Sequence, residues 1–244
     1  MNPWIPATLG VAAFSTLIHG AVLPNSPIFG PALGRGDPAR RRVYLTFDDG
    51  PSPKATDSIL DVLGSENISA AFFQVGRHVK MFPEIARCVA AADHEIGNHT
   101  MTHRKLVWAS PREISAEIGG AQDVLRAETG VEARFFRAPH GLRNPFVTPA
   151  ARRVGCRVVG WTFGVWDSDR PGVEEVRRRV RAQLRPGAIV LLHDGDGRDP
   201  AADRSQTAAA LPGIIADARE QGYSFGALTE LLDPAPVPVD GEAG

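Results

Sequence analysis

Between residues 43 and 232 the chain alternates two apolar patterns. Short strand candidates lie at 43–47, 70–74, 94–98, 134–137, 156–162, 188–192 and 223–228, most of them rich in Val, Ile, Leu or Phe. Between them, near 55–63, 82–92, 111–128, 147–154, 173–184 and 207–221, apolar residues recur three and four apart, the period of a helix with one buried face. The third helix has a full start signal: Ser110 at the N-cap, Pro111 at the first helical position and Glu113 to complete a capping box. Pro83 and Pro149 also sit where helices should begin.

Strands separated by helices pair in parallel through right-handed crossovers, so the pattern predicts an α/β barrel or an open doubly wound sheet. In both architectures chemistry gathers at the carboxyl ends of the strands. The expected organisation is an apolar N-terminal segment and connector over 1–42, one catalytic domain over 43–232 and a disordered Pro- and Ala-rich tail over 233–244. Residues 5–23 are mostly apolar but diluted by Ser15, Thr16 and His19, and no Lys or Arg precedes Arg35. The basic start of a secretory signal is therefore missing. The segment reads as an amphipathic piece that packs on the domain or lies on a membrane surface, which leaves the compartment open between cytoplasm and cell envelope.

Composition changes this picture little. With 43% apolar and 23% charged residues the chain resembles a soluble enzyme, and a net charge of -1 argues against nucleic acid as the main partner. Cys88 and Cys156 have no metal-binding spacing and are expected to be two buried, reduced thiols. The arginine run 177–181 falls on a predicted helix and reads as a solvated face.

The strand ends carry the informative residues. Thr46-Phe47-Asp48-Asp49-Gly50-Pro51 follows the first strand, and adjacent carboxylates are costly unless a cation compensates them. One acid could ligate a metal while the other handles protons; the plainer alternative is an Asp-rich turn. After the third strand, His99 and His103 stand four apart, so a helical turn would place both imidazoles on one side. Two imidazoles, one carboxylate and an open position form a known catalytic arrangement for zinc. Arg137 ends the fourth strand, where it could neutralise an aspartate or simply face solvent, and Pro139-His140-Gly141 shapes a loop whose backbone N–H groups could face an oxyanion. Trp161 and Trp166 could wall a sugar site or fill core. His193 emerges from the apolar run that includes Leu191 and is placed to act as a general acid, though such a histidine is often structural.

Taken in order, Thr-Phe-Asp-Asp-Gly-Pro, His-Thr-x-x-His, Arg-x-Pro-x-Gly and Leu-x-His resemble the motifs of the polysaccharide deacetylase family, also called the NodB-homology family or carbohydrate esterase family 4. The resemblance covers roughly 43–232. It implies a distorted (β/α) barrel of about seven parallel strands and removal of N-acetyl groups from peptidoglycan, a chitin-like oligomer or a lipid-linked sugar. It further implies Asp48 as catalytic base, Asp49, His99 and His103 as ligands of one divalent ion, Arg137 positioning the base and His193 as acid. Asp167, with Asp169 as its competitor, matches the partner of that histidine, and Leu191 lines the acetyl pocket. Zinc is the expected ion, with cobalt, nickel or manganese as substitutes. Two departures stand out: His140 replaces the usual aromatic residue, and the Trp161–Trp166 segment is looser than the family pattern. Acetylxylan-type esterase or small-amide hydrolase activity would use the same residues. A non-catalytic glycan-binding module would not need Asp48, Arg137 and His193.

Overall fold

The apolar run that follows the Arg-rich connector forms the central strand β1 (Arg42–Asp48) in the computed structural model, which describes residues 15–232. The other strands are β2 (Ala71–Gln74), β3 (Glu95–Asn98), β4 (Phe135–Phe136), β5 (Arg157–Val158), β6 (Phe163–Gly164), β7 (Ile189–His193) and β8 (Ser224–Phe225). The helices are α1 (Thr56–Ser65), α2 (Gly76–Met81), α3 (Pro83–Ala91), α4 (Pro111–Thr129), α5 (Val147–Arg153), α6 (Val173–Gln183) and α7 (Ser205–Glu220); residues 15–22 are helical as well. Seven strands lie in one parallel path, β5-β4-β3-β2-β1-β7-β6, and β8 pairs in parallel with β1. The sheet curls into an α/β half-barrel, open between β5 and β6. Near that opening Leu33 of the connector bridges to Val159 and Arg35 to Ala188.

The alternation of side chains along each strand divides the core in two. Val43, Leu45 and Phe47 of β1, Phe72 of β2 and Val190 and Leu192 of β7 belong to the outer layer under the helices. Tyr44, Phe73 and Ile189 belong to the inner layer. Thr46 and Asp48 share the parity of Tyr44, and Leu191 and His193 share that of Ile189, so polar groups enter the lumen at its carboxyl end. Phe72 is fully buried and stacks on Phe47 at 5.0 Å between ring centroids. Phe72→Ala is expected to lower stability by about 3–5 kcal/mol, read from urea unfolding, because the outer layer cannot close over the void.

The capping box at Ser110 forms as the spacing predicts, with Pro111 opening α4 and Gly130 closing it in a left-handed conformation. Several expectations need correction. The apolar run 156–162 is not one strand: β5 and β6 are separate, because at Gly160 the backbone leaves the ladder, its N–H donating to Leu33 and its carbonyl accepting from Arg137. Helix α2 was not foreseen; its first amides donate to the carbonyls of Thr100 and Met101, contacts no local pattern announces. Cys156 is buried, and burial pushes its thiol up to about 12, but Cys88 is exposed rather than buried; both are free. The arginine run is more than a solvated face, since Arg177 and Arg181 both reach the buried carboxylate of Asp217 and tie α6 to α7. The expected N-terminal amphipathic segment lies partly, and the expected disordered tail 233–244 wholly, outside the described residues. Among the described residues no helix is long and apolar enough to cross a membrane.

Candidate active site

Asp48 is the last residue of β1, and its carboxylate is held from behind by Arg137. The Arg137 Nη1 donates to Asp48 Oδ1 at 2.6 Å and to Thr46 Oγ1 at 2.9 Å, while Nη2 donates to the Gly160 carbonyl at 2.7 Å. The guanidinium is fully buried, 4.1 Å over the Phe73 ring, and burial pulls its pKa down although Asp48 pulls it up. The Asp48 Oδ2 is 3.8 Å from His99 Nε2, on the side of the lumen where the other motifs arrive.

At Asp49 the chain turns through a left-handed conformation, φ 77°, and its carboxylate meets two imidazoles. Its Oδ1 lies 2.9 Å from His103 Nε2 and 3.3 Å from His99 Nε2. Burial raises the pKa of this carboxyl, but the close contacts and charge of His103 and His99 prevail and hold it well below the usual range. The two histidines are not brought together by a helical turn, as their spacing suggested. Residues 99–103 form an irregular turn in which Thr100 N–H donates to Asn98 Oδ1, His103 N–H to Thr100 Oγ1 and Thr102 N–H to Glu117.

Asp49, His99 and His103 form a group able to hold a metal ion, with donor atoms within 4.8 Å of one another. The donor chemistry fits a divalent cation. His99 Nδ1 is 2.8 Å from the Arg137 carbonyl, so it carries the proton and leaves Nε2 a lone pair aimed at the cluster. Asp49 Oδ1 is buried without a hydrogen bond. A carboxylate oxygen without a hydrogen bond and the His99 lone pair converging in a buried space are costly unless a cation sits between them.

His193, the last residue of β7, faces the same lumen. Its Nδ1 is 2.8 Å from Asp167 Oδ1, and its backbone N–H donates to Oδ2 of the same carboxylate at 2.8 Å. Asp167 is fully buried and also accepts from Thr207 Oγ1 at 2.9 Å, whereas its sequence competitor Asp169 is exposed. Burial lowers the pKa of His193, but the Asp167 charge and hydrogen bond outweigh it and raise the imidazole to about 9. Asp167 moves the opposite way: burial raises it and His193 brings it below its ordinary value.

A cavity of about 340 Å³ opens beside these groups, lined by His140, Trp161, Gly164, Val165, Trp166, Ser168, Leu191 and His193. Gly141, at φ 70°, lets the Pro139–Gly141 turn lie against Trp161; a Cβ there would sit 2.6 Å from that ring. The His140 ring stands edge-on to His103 at 5.0 Å, and burial, then His103, pulls its imidazole down to about 4. Trp161 is partly buried along the wall, and Trp166 is exposed at the rim.

Some of the site's residues escaped sequence reasoning. His78, buried in α2, lies with Nδ1 2.9 Å from the Asp49 carbonyl and steadies that turn. Gly197 presses on the His103 ring so closely that a Cβ would overlap Nδ1, and Arg77 Nη2 donates to its carbonyl at 2.5 Å. Asp194 packs against Gly50 and accepts from Thr56 Oγ1 at 2.7 Å, and burial pushes its carboxyl up to about 7. Only Asp194 had a signal, its place next to His193.

A curled α/β sheet with an Asp-His-His cluster, a buried Asp–Arg pair and a His–Asp pair at its strand ends has the parts of a metal-assisted hydrolase. Residues 35–159 match the family model described as polysaccharide deacetylase. The chain is 38% identical to a chitooligosaccharide deacetylase of Bradyrhizobium sp. over 84% of this chain and 97% of that protein. It is 36% identical to a peptidoglycan-N-acetylglucosamine deacetylase of Bacillus cereus over 78% of this chain and 87% of the relative. Among solved structures, a CE4 family pseudoenzyme from Bacillus anthracis superposes with a TM-score of 0.76 at 32% identity, covering 85% of this chain and 70% of that one. The chain belongs to the polysaccharide deacetylase family.

Proposed function

We propose that the protein hydrolyses the acetamido group of an N-acetylglucosamine-containing glycan, releasing acetate and leaving a free amine on the sugar. Both named relatives are deacetylases of such compounds, one of chitooligosaccharides and one of peptidoglycan N-acetylglucosamine. Resemblance of fold does not carry the activity, since one similar structure is a pseudoenzyme. The observation that carries it is the meeting of three groups in one lumen: Asp48 on Arg137, the Asp49-His99-His103 cluster, and His193 on Asp167.

Asp49, His99 and His103 would hold a divalent ion, zinc by preference, with cobalt, nickel or manganese suited to the same donors. When bound, the ion supplies Lewis acidity, polarising the amide carbonyl and acidifying water. Arg137 occupies one oxygen of Asp48 and orients the carboxylate, so the other oxygen can take the proton of the attacking water. The Gly141 N–H is already donated to Ala138, which leaves the His140 amide as the loop's donor to the developing oxyanion. His193, protonated at neutral pH because Asp167 holds it, gives its proton to the departing amine. Leu191, Trp161 and Gly141 shape the wall around the acetyl group and the sugar ring.

The test is acetate release from N-acetylchitooligosaccharides, peptidoglycan and acetylxylan, each with chelator and with metal restored. Release from the N-acetylated substrates, abolished by chelator and recovered on adding zinc, is expected. Turnover indifferent to chelator would overturn the metal assignment, and release from acetylxylan alone would reassign the protein as an esterase.

A further inference from the structure

The described part of the chain exposes nine large apolar side chains, and five of them fall between residues 17 and 28. Leu17, Ile18, Val22, Leu23 and Ile28 are each 40% to 54% exposed, on the helical residues 15–22 or in the turns that follow them. This arm is not loosely attached. The buried Arg143 donates through Nη2 to the Ser26 carbonyl at 2.6 Å and through its backbone N–H to Ala21 at 3.1 Å. Asn25 Nδ2 donates to the Trp161 carbonyl at 2.8 Å. The catalytic half-barrel therefore holds the arm with its apolar side outward.

We propose that this face docks on the hydrocarbon boundary of a lipid bilayer and so places the mouth of the catalytic site at the membrane surface; the second half of this proposal rests on the deacetylase reading above. What favours a bilayer over a protein partner is the chemistry of the adjoining chain. Residues 1–34 contain no Asp, Glu, Lys or Arg, and Trp4, Ile5, Leu9, Val11 and Phe14 lead directly into the exposed face. Protein interfaces carry a polar rim with arginines among their anchors, whereas charge is costly within hydrocarbon and is absent here throughout. Among the described residues no helix is long and apolar enough to cross a bilayer, and the helical residues 15–22 can lie in the interface with their apolar side down. The arm also borders the mouth: Pro24 packs against Gly141, and Asn25 is bonded to Trp161, which lines the cavity. Substrates that this arrangement favours are acetylated aminosugars held at a membrane face.

Because the attraction comes from apolar area, binding should ignore lipid charge and salt. The experiment is flotation of the full chain with phosphatidylcholine vesicles, without and with phosphatidylglycerol, at low and high salt. The comparison variant combines Leu17→Ser, Ile18→Ser, Val22→Ser and Leu23→Ser, all at exposed positions. The wild type should float with both vesicle types at either salt concentration, and the variant's partitioning should fall roughly tenfold or more, with acetate release from a soluble chitooligosaccharide unchanged. The proposal is overturned if the wild type stays at the bottom of the gradient, as it would were the face covered by residues 1–14 or by a second copy. It is equally overturned if the variant floats as well as the wild type, or if binding needs the anionic lipid and is lost in salt. Flotation reads binding without turnover, so a failure of the deacetylase reading would leave this result intact and distinguishable.

Discussion

Asp48→Asn should retain its metal and its fold yet lose kcat by about 10²–10⁴-fold, the contribution of a well-placed general base. Asn keeps the shape of the side chain and an oxygen to accept from Arg137, but it cannot take a proton from water. The cost in stability is real, because the Arg137 guanidinium is fully buried and Asp48 is its only carboxylate partner among the described residues. Thr46 Oγ1 and the Gly160 carbonyl remain as acceptors, so the loss should stay below the roughly 3–5 kcal/mol of a buried pair broken outright. Metal content of the purified variant, urea unfolding and acetate release separate these effects. His99→Ala provides the contrast, losing metal and turnover together, since His99 Nε2 faces Asp49 and its Nδ1 is fixed by the Arg137 carbonyl. A fully active Asp48→Asn would remove the base from the mechanism, and one that lost its metal would make Asp48 a ligand instead.

The separate fates of Asp48 and Asp49 illustrate what was legible in the sequence. Two adjacent carboxylates at a strand end announce a site, and the alternation of β1 sends Asp48 into the lumen. The left-handed turn at Asp49, which brings its carboxylate to both histidines, has no local signature. His99 and His103 were legible as a pair, but the reason offered for their meeting was wrong. Asn98, Thr100 and Glu117 hold the turn, and Glu117 belongs to a helix that follows it. The strand pattern located β1, β2 and β7 because each has its own apolar run. It misread 156–162 because Gly160 breaks that ladder to serve Arg137, a requirement set by a different strand. His78, Gly197 and Asp194 act on backbone or ring faces brought in by tertiary packing, and no spacing encodes that. Periodicity and strand-end chemistry are local and were readable; the supports of the site are long-range and were not.

The His193–Asp167 pair yields a prediction whose sign can be worked out. With Asp167 beside it the imidazole titrates at about 9, so it remains a proton donor across the neutral range and the alkaline limb of kcat should fall near that value. In Asp167→Asn the charge is gone and burial, which favours the neutral ring, acts with less opposition. The alkaline limb should then move down by roughly 1–3 units, the range a neighbouring carboxylate commands. Stability follows by linkage. The folded pKa of His193 is raised above 6.5, so its contribution is full below 6.5 and is lost as pH rises through about 9. The folded pKa of Asp167 is lowered from 3.8, so its contribution is present above that value and is lost as pH falls through the depressed one. The stability gap between wild type and Asp167→Asn should therefore be widest from about 4 to about 6.5 and narrow towards 9. It should not vanish there, because the Oδ2 bonds from the His193 backbone and Thr207 do not depend on the imidazole proton. Urea unfolding across that range, set beside the kcat–pH profile, checks both halves: an unshifted alkaline limb in the variant would mean that His193 is not the proton donor, whatever its effect on stability.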